Sequence, residues 1–359
     1  MGRAFFDTEP TARAVFEEAD KALGFPLSKL IFDGPEDDLK RTEHTQPAIL
    51  TTSVAIARVL AEKLNGTGIA PAFSAGHSLG EYTAHVMAGT FSFADAVRAV
   101  RSRGRYMQGA VPEGQGAMAA ILGLPSEQIN DLCNQATDEL TAQTAAAIEP
   151  PAENTSAATA EAHSDAPLAD SASSQSMLAD PTNTPASIAR AATTIGALVS
   201  PANLNAPEQT VISGSRIAVE RAVELCKAAG AKRTVMLPVS APFHCALMRP
   251  AQECLSTDLE SMPFADPAIP VVTNVDARCV SRSSDARDCL IRQVTGSVRW
   301  VECIELLIQQ GATHFVEIGP GRVLSGLMRQ IDRNQKSLNV EDPASLEKTL
   351  TELKAAAAL

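Results

Sequence analysis

Ile69-Ala70-Pro71-Ala72-Phe73-Ser74-Ala75-Gly76-His77-Ser78-Leu79-Gly80-Glu81-Tyr82-Thr83-Ala84-His85-Val86-Met87-Ala88 decides how this chain is read. An apolar run leads into a Gly-x-Ser-x-Gly pentapeptide, and a segment of helical character follows. Strand, sharp turn, helix is the setting of a nucleophile elbow. The turn is expected to leave no room for a Cβ on either side, which accounts for Gly76 and Gly80. Ser78 then sits strained at the tip with its oxygen exposed. The helix behind it turns backbone N–H groups and a positive dipole end toward a developing oxyanion. The bland alternative is a glycine-rich turn carrying a bystander serine.

Composition narrows the class. A length of 359 residues gives one large or two smaller domains with ample core. No apolar run reaches the length of a membrane span, and the first residues carry no apolar signal core. The seven cysteines include no Cys-x-x-Cys pair and no metal-like spacing, which fits reduced thiols in a cytoplasm. A net charge of −12 argues against a general nucleic-acid binder.

Working outward from the elbow, residues 11–23, 46–64 and 93–109 read as helices, with Pro47 suited to a first turn. Alternating strand and helix around an elbow implies an α/β core with a mainly parallel sheet. Between Met107 and Pro242 the composition changes, and no aromatic residue (Phe, Tyr or Trp) occurs. There the pattern is strand (116–122), helix (from 126), two strands (197–199 and 210–213), helix (216–229) and strand (233–237). That order is the split βαβ, ferredoxin-like pattern. Residues 138–193 are mostly Ala, Ser, Thr, Pro, Asp and Asn with few large apolar side chains. Such a segment buries too little surface to offset its ordering entropy, so a disordered loop is expected, with a partial helix near 187–193. His163 lies in it and is expected to do no chemistry. The expected fold is therefore a hydrolase-like parallel-sheet core (1–114 and 239–335) with an inserted ferredoxin-like α+β subdomain (115–238). Residues 336–359 read as a peripheral tail ending in a helix.

A serine nucleophile needs a base. The histidines are 44, 77, 85, 163, 244 and 314. His77 adjoins the serine and should point elsewhere, His85 lies on the elbow helix, and His314 reads as strand interior. His244, in Pro242-Phe243-His244-Cys245, falls in a loop after a strand, where α/β sites collect. It also follows the serine in chain order, as such folds require. No Asp or Glu stands out to orient it, but a backbone carbonyl can accept from one ring N–H instead. Arg98, Arg101, Arg103 and Arg105 cannot all share one helix face, so at least one turns inward. A fixed guanidinium at Arg103, near an acyl-serine, would pair bidentately with a substrate carboxylate and select a dicarboxylic acyl group.

Together these residues resemble the malonyl-CoA:acyl-carrier-protein transacylases of type II fatty acid synthesis. The matching motifs are Thr45-Gln46-Pro47-Ala48, Gly76 to Tyr82, Arg103-Gly104-Arg105-Tyr106-Met107-Gln108, Val111-Pro112-Glu113-Gly114 to Ala120, Asn203-Leu204-Asn205, Pro242 to Met248, Arg292-Gln293, Val298-Arg299-Trp300 and Gly319-Pro320-Gly321. The resemblance implies ping-pong transfer without a cofactor. Ser78 takes malonyl from malonyl-CoA with His244 as base and Arg103 on the malonyl carboxylate, then passes it to the phosphopantetheine thiol of acyl carrier protein. It further implies that the backbone carbonyl of Gln293 orients His244, and that Leu79 and Phe243 select malonyl over methylmalonyl. A cytoplasmic monomer follows, with malonyl-CoA and the acidic carrier as partners and neither nucleic acid nor membrane. Lys227, Lys232, Arg233, Arg322 and Arg329 are the expected docking cations.

Two departures stand against the pattern. Family members carry a strand and a Gly-Gln-Gly-Ser-Gln-type loop ahead of the region matching Met1-Gly2, so a start upstream of Met1 is expected. The loop normally supplies one oxyanion donor, which leaves Leu79 N–H here. The second departure is the 138–193 insertion. The competing readings are a serine esterase or thioesterase on a similar fold, a catalytically impaired remnant, and a domain cut from a polyketide synthase.

Overall fold

The computed structural model describes residues 1–148, 196–239 and 241–358. The fold is α/β. Strand β1 (Ser74–Ala75) leads into the elbow, β2 (Gly116–Leu122) opens the second layer, and β3 (Val199–Ala206), β4 (Gln209–Ser215) and β5 (Arg233–Met236) complete it. Then come β6 (Val271–Val272), β7 (Cys279–Val280), β8 (His314–Ile318) and β9 (Lys336–Val340).

The parallel sheet of the core is in two pieces. β6 pairs parallel with β1 and antiparallel with β7, while β8 pairs parallel with β9. Helices carry most of the core. Thr42–Leu64 is the central one, with Leu50, Val54, Ile56 and Val59 fully buried. It begins earlier than expected, so Pro47 lies inside it rather than in its first turn. The helix Phe93–Gly109 packs beside it through Val97, Val100 and Met107. Each such side chain contributes about 1.5–3 kcal/mol by burial. Gly104 fixes how closely the two helices meet: a Cβ there would lie 2.6 Å from the Thr42 carbonyl oxygen. That approach brings Arg103 against Gln46.

The second layer is antiparallel in the order β3-β4-β2-β5. β2 and β4 pair without slippage from Gly116↔Ser215 to Leu122↔Gln209. The helices Ser126–Ile148 and Arg216–Ala228 cover the face that carries Ala117, Ala119, Ile121 and Ile212. The opposite face carries Met118, Ala202 and Val211 and meets Phe243. Among the described residues the chain order strand, helix, two strands, helix, strand is the one expected.

Three expectations change. The helix from Ser126 runs to Ile148, so residues 138–148 are helical and not loop. The Glu139–Arg221 ion pair (2.8 Å) and the Thr137 hydroxyl, which accepts from Val199 N–H, tie it down. The remainder of the expected loop, His163 and the helix near 187–193 lie outside the described residues. Residues 336–340 are a paired strand and not a tail, and the helix Pro343–Ala357 buries Leu346 and Leu350 in the main core. His314 is the exposed first residue of β8 and not strand interior.

Candidate active site

The elbow forms where the sequence places it. A Cβ on Gly76 would lie 2.0 Å from the Gly80 backbone, so only glycine fits there. The second half of that expectation is corrected: a Cβ on Gly80 would meet nothing within 4 Å, because position 80 already lies in the helix Leu79–Met87 and its Cβ would point away from the turn. Ser78 has φ 50° and ψ −104°, outside the regions ordinary residues occupy. Among the described residues no protein acceptor takes the Leu79 N–H, the group that follows a nucleophile and faces an oxyanion.

His244 meets Ser78 across 166 residues of sequence. Its Nε2 lies 2.7 Å from Ser78 Oγ, and its Nδ1 donates to the Gln293 carbonyl at 2.9 Å. With Nδ1–H committed, Nε2 is the acceptor that a general base requires. His244 itself has φ 60°. Burial, with the positive charge of Arg103, pulls its pKa down to about 3, so the ring is neutral at neutral pH.

Arg103 is the arginine that turns inward and is 2% exposed; Arg98 and Arg105 are exposed and Arg101 half-buried. Nη1 donates to Gln46 Oε1 (2.8 Å), and Nη2 to Ser78 Oγ (3.0 Å) and to Gln293 Oε1 (3.0 Å). Its guanidinium carbon stands 5.7 Å from the centre of the Tyr82 ring. All three hydrogen-bond acceptors are uncharged, so this buried cation has no carboxylate in contact. The Glu81 carboxyl is reached through the Gln293 amide, whose Nε2 donates to Glu81 Oε2 (2.7 Å) and to the Ser78 carbonyl (3.1 Å). Burial lifts the Glu81 pKa to about 7 despite the Asn274 and Gln293 hydrogen bonds and the charge of Arg103.

His77 points away from Ser78, as expected. Its Nε2 bonds Asn205 Oδ1 (2.8 Å) and its ring packs on Trp300. Irregular pairing between β3 and β4 around Leu204 and Ala206 aims Asn205 at it. His85 is buried on the elbow helix and bonded to Thr90, with its pKa drawn down to about 3 by burial. Leu79 and Phe243 are half-buried against the main core. Ser78, His244, Arg103 and Gln293 are brought together. Gln46, Glu81 and Asn274 also contact this cluster and carried no role in the sequence reading. A charged residue one helical turn behind the nucleophile was the available signal for Glu81. Asn274, at the end of an apolar run, offered none. Among the described residues no group of His, Cys, Asp or Glu could hold a metal ion, and no helix is long and apolar enough to cross a membrane.

Known proteins resemble this chain over nearly its whole length. Residues 1–147 match the acyl transferase domain family. The chain is 40% identical over 354 residues to the malonyl CoA-acyl carrier protein transacylase of Bacillus subtilis, covering 99% of this chain and 93% of that one. To the protein of the same name in Escherichia coli K12 it is 40% identical, covering 95% and 91%. The solved transacylase of Coxiella burnetii superposes with a TM-score of 0.80 at 35% identity, covering 99% of this chain and 93% of that one. A malonyl-transacylase solved in complex with a type II polyketide acyl-carrier protein gives 0.79 at 40% identity, covering 98% and 94%.

Proposed function

Because the chain belongs to the malonyl CoA-acyl carrier protein transacylase family, we propose that Ser78 carries the malonyl group this acyltransferase moves from malonyl-CoA to acyl carrier protein for fatty acid synthesis. Ser78 Oγ attacks the thioester carbonyl while His244 Nε2 takes its proton. Negative charge develops on the carbonyl oxygen and meets the Leu79 N–H and the helix N-terminus behind it. Collapse breaks the carbon–sulfur bond, and the coenzyme A thiolate leaves with the proton held by His244. The carrier's phosphopantetheine thiol then attacks the malonyl-serine, giving its proton to His244, and Ser78 leaves as the free alcohol. Both half-reactions are acyl exchange, so the scheme calls for no cofactor, and malonyl-CoA is a substrate. We place the reaction in the cytoplasm, in keeping with seven cysteines that are all free.

The observation that carries this reading is Arg103 Nη2 standing 3.0 Å from the nucleophile oxygen with only neutral hydrogen-bond partners. A buried cation beside a serine has no use in an esterase of neutral acyl groups. It fits an acyl chain that ends in a carboxylate. Leu79 and Phe243, flanking the nucleophile and base in sequence, are proposed to set the size of that acyl group.

The catalytic core is proposed to take in 1–114 and 239–358, with 115–238 as the second domain. For the acidic carrier we propose docking over Arg329 and Arg333. Both are exposed, neither has an ion-pair partner among the described residues, and both line two adjoining cavities. One cavity is rimmed by Ala206 to Glu208, directly after the Asn205 that bonds His77. Lys232 and Arg322, expected in this role, are instead paired with Glu208 and Glu341.

Incubating the chain with malonyl-CoA and weighing it intact tests the reading. A gain of one malonyl mass, absent from Ser78→Ala, is expected. An adduct that persists in Ser78→Ala, or no adduct at all, would refute it.

A further inference from the structure

Asn274 is fully buried beside the elbow, and every polar group it has is engaged. Its backbone N–H donates to Glu81 Oε2 (2.9 Å), and its carbonyl accepts from Arg299 N–H (3.0 Å). Oδ1 accepts the Ser78 N–H at 2.6 Å, and Nδ2 donates to the Gly76 carbonyl at 2.8 Å. The side chain therefore grips the elbow on either side of His77.

A residue held at φ 50° and ψ −104° costs on the order of 1–3 kcal/mol and persists only where its surroundings over-determine it. The helix that follows does not do that for Ser78, since the Ser78 N–H lies outside the intrahelical ladder. Asn274 supplies the missing constraint and takes up that N–H, leaving the Leu79 N–H facing the reaction. Glu81 links the grip to the rest of the site. The same Glu81 oxygen that accepts Asn274 N–H accepts Gln293 Nε2, and Gln293 Nε2 also reaches the Ser78 carbonyl. Ser78, Asn274, Glu81 and Gln293 thus close a hydrogen-bonded ring, and the Gln293 carbonyl holds His244. Nucleophile and base are registered against each other through buried groups that never touch the substrate.

We propose that Asn274 is a positioning residue for acyl transfer, clamping the elbow so that Ser78 Oγ stays within reach of His244, with Glu81 keying that clamp to Gln293. The proposal rests on Ser78 being the acylated residue.

The test uses the full chain with malonyl-CoA as probe. Single-turnover acylation of Ser78 is followed by rapid quench and intact mass in wild type, Asn274→Ala and Asn274→Asp. For Asn274→Ala the maximal acylation rate is expected to fall about 100-fold, the effect of a misplacement of about 1 Å. The malonyl-CoA concentration at half-saturation should stay within about threefold, because no substrate contact is lost. Asn274→Asp keeps the acceptor for Ser78 N–H and loses the donor to Gly76, so a fall of about tenfold is expected, near the loss of one hydrogen bond. A wild-type maximal rate in either folded variant overturns the proposal, as does a rise in half-saturation with the rate unchanged. If Asn274→Ala does not fold, Asn274→Asp, equal in size, decides alone. A wild-type chain that takes no malonyl on Ser78 removes the premise and the proposal with it. Normal wild-type acylation with unchanged variants removes the proposal alone.

Discussion

If Arg103 holds the malonyl carboxylate as proposed, replacing it with alanine should leave a site that does not distinguish malonyl from acetyl. The guanidinium makes two kinds of contact, and they have different consequences. Toward the protein it supplies hydrogens to Gln46 Oε1 and Gln293 Oε1, both buried. Their loss leaves two buried acceptors without those donors, costing about 1–3 kcal/mol each in stability. Toward the substrate it is, among the described residues, the one cation hydrogen-bonded to Ser78 Oγ. Truncating one member of a buried, hydrogen-bonded charge pair costs about 2–5 kcal/mol, or roughly 30- to 5,000-fold in kcat/KM for malonyl-CoA. Acetyl-CoA presents no carboxylate and escapes that loss. It also benefits from the second effect of Arg103, whose charge helps hold the His244 pKa down, so the base strengthens when the charge is removed.

The assay is acylation of Ser78 by malonyl-CoA and by acetyl-CoA, read by intact mass against time and normalised to folded protein. The ratio of the two kcat/KM values should fall by at least the lower of those factors. Arg103→Lys should recover part of it, since a point charge replaces a planar fork. Equal losses on both substrates would refute the reasoning. Arg103 would then act only by holding Gln293 and Ser78 in place.

The two elbow glycines should respond oppositely. Gly76→Ala drives a Cβ into the Gly80 backbone and should abolish acylation, while Gly80→Ala enters open space and should fold and acylate; intact mass and a thermal melt check both. Glu81 has its folded pKa raised from 4.5 to about 7, so its contribution to stability is full below pH 4.5 and is lost as pH rises through about 7. Glu81→Gln, which keeps an acceptor for Asn274 and Gln293, should therefore melt above wild type at pH 8.5 and converge with it near pH 5, values chosen about 1.5 units above the folded pKa and close to the unfolded one. A constant offset across that range would show that Glu81 stays ionised in the folded chain and its pKa is not raised. Arg329→Glu with Arg333→Glu should raise KM for the carrier and leave acylation by malonyl-CoA unchanged. An unchanged carrier KM would move the docking surface elsewhere.

What the sequence disclosed depended on whether neighbours in space were also marked by local pattern. Ser78 is announced by the residues around it, and His244 by a loop after a strand. Arg103 could be narrowed only by the geometry of a helix carrying four arginines, and Gln293 only by resemblance. Where the outcome depended on close approach, local pattern misled. Gly80 looked like the partner of Gly76, yet one lies in the turn and the other already in the helix. Residues 138–148 carry only Leu140 and Ile148 as large apolar side chains, yet helix propensity and the bridges to Arg221 and Val199 continue the helix. Lys336–Val340 looked peripheral because a five-residue strand is defined by its partner, β8, and not by its own pattern.

Asn274 is the limiting case. It bonds Ser78, Gly76 and Glu81 across 196, 198 and 193 residues of sequence, and each partner is a backbone group or a buried carboxylate that no periodicity reports. A buried Asn leaves a signature only in three dimensions, through the requirement that all its donors and acceptors be met. That requirement is also why it can hold a strained serine. Two of its four hydrogen bonds hold the elbow itself and the other two reach Glu81 and Arg299, so the elbow cannot relax without leaving a buried polar group unpaired, at about 1–3 kcal/mol for each. That penalty is comparable to the strain it opposes. The proposed nucleophile, Ser78, thus owes its place in the sequence to a local motif and its geometry to an interaction that the motif does not contain.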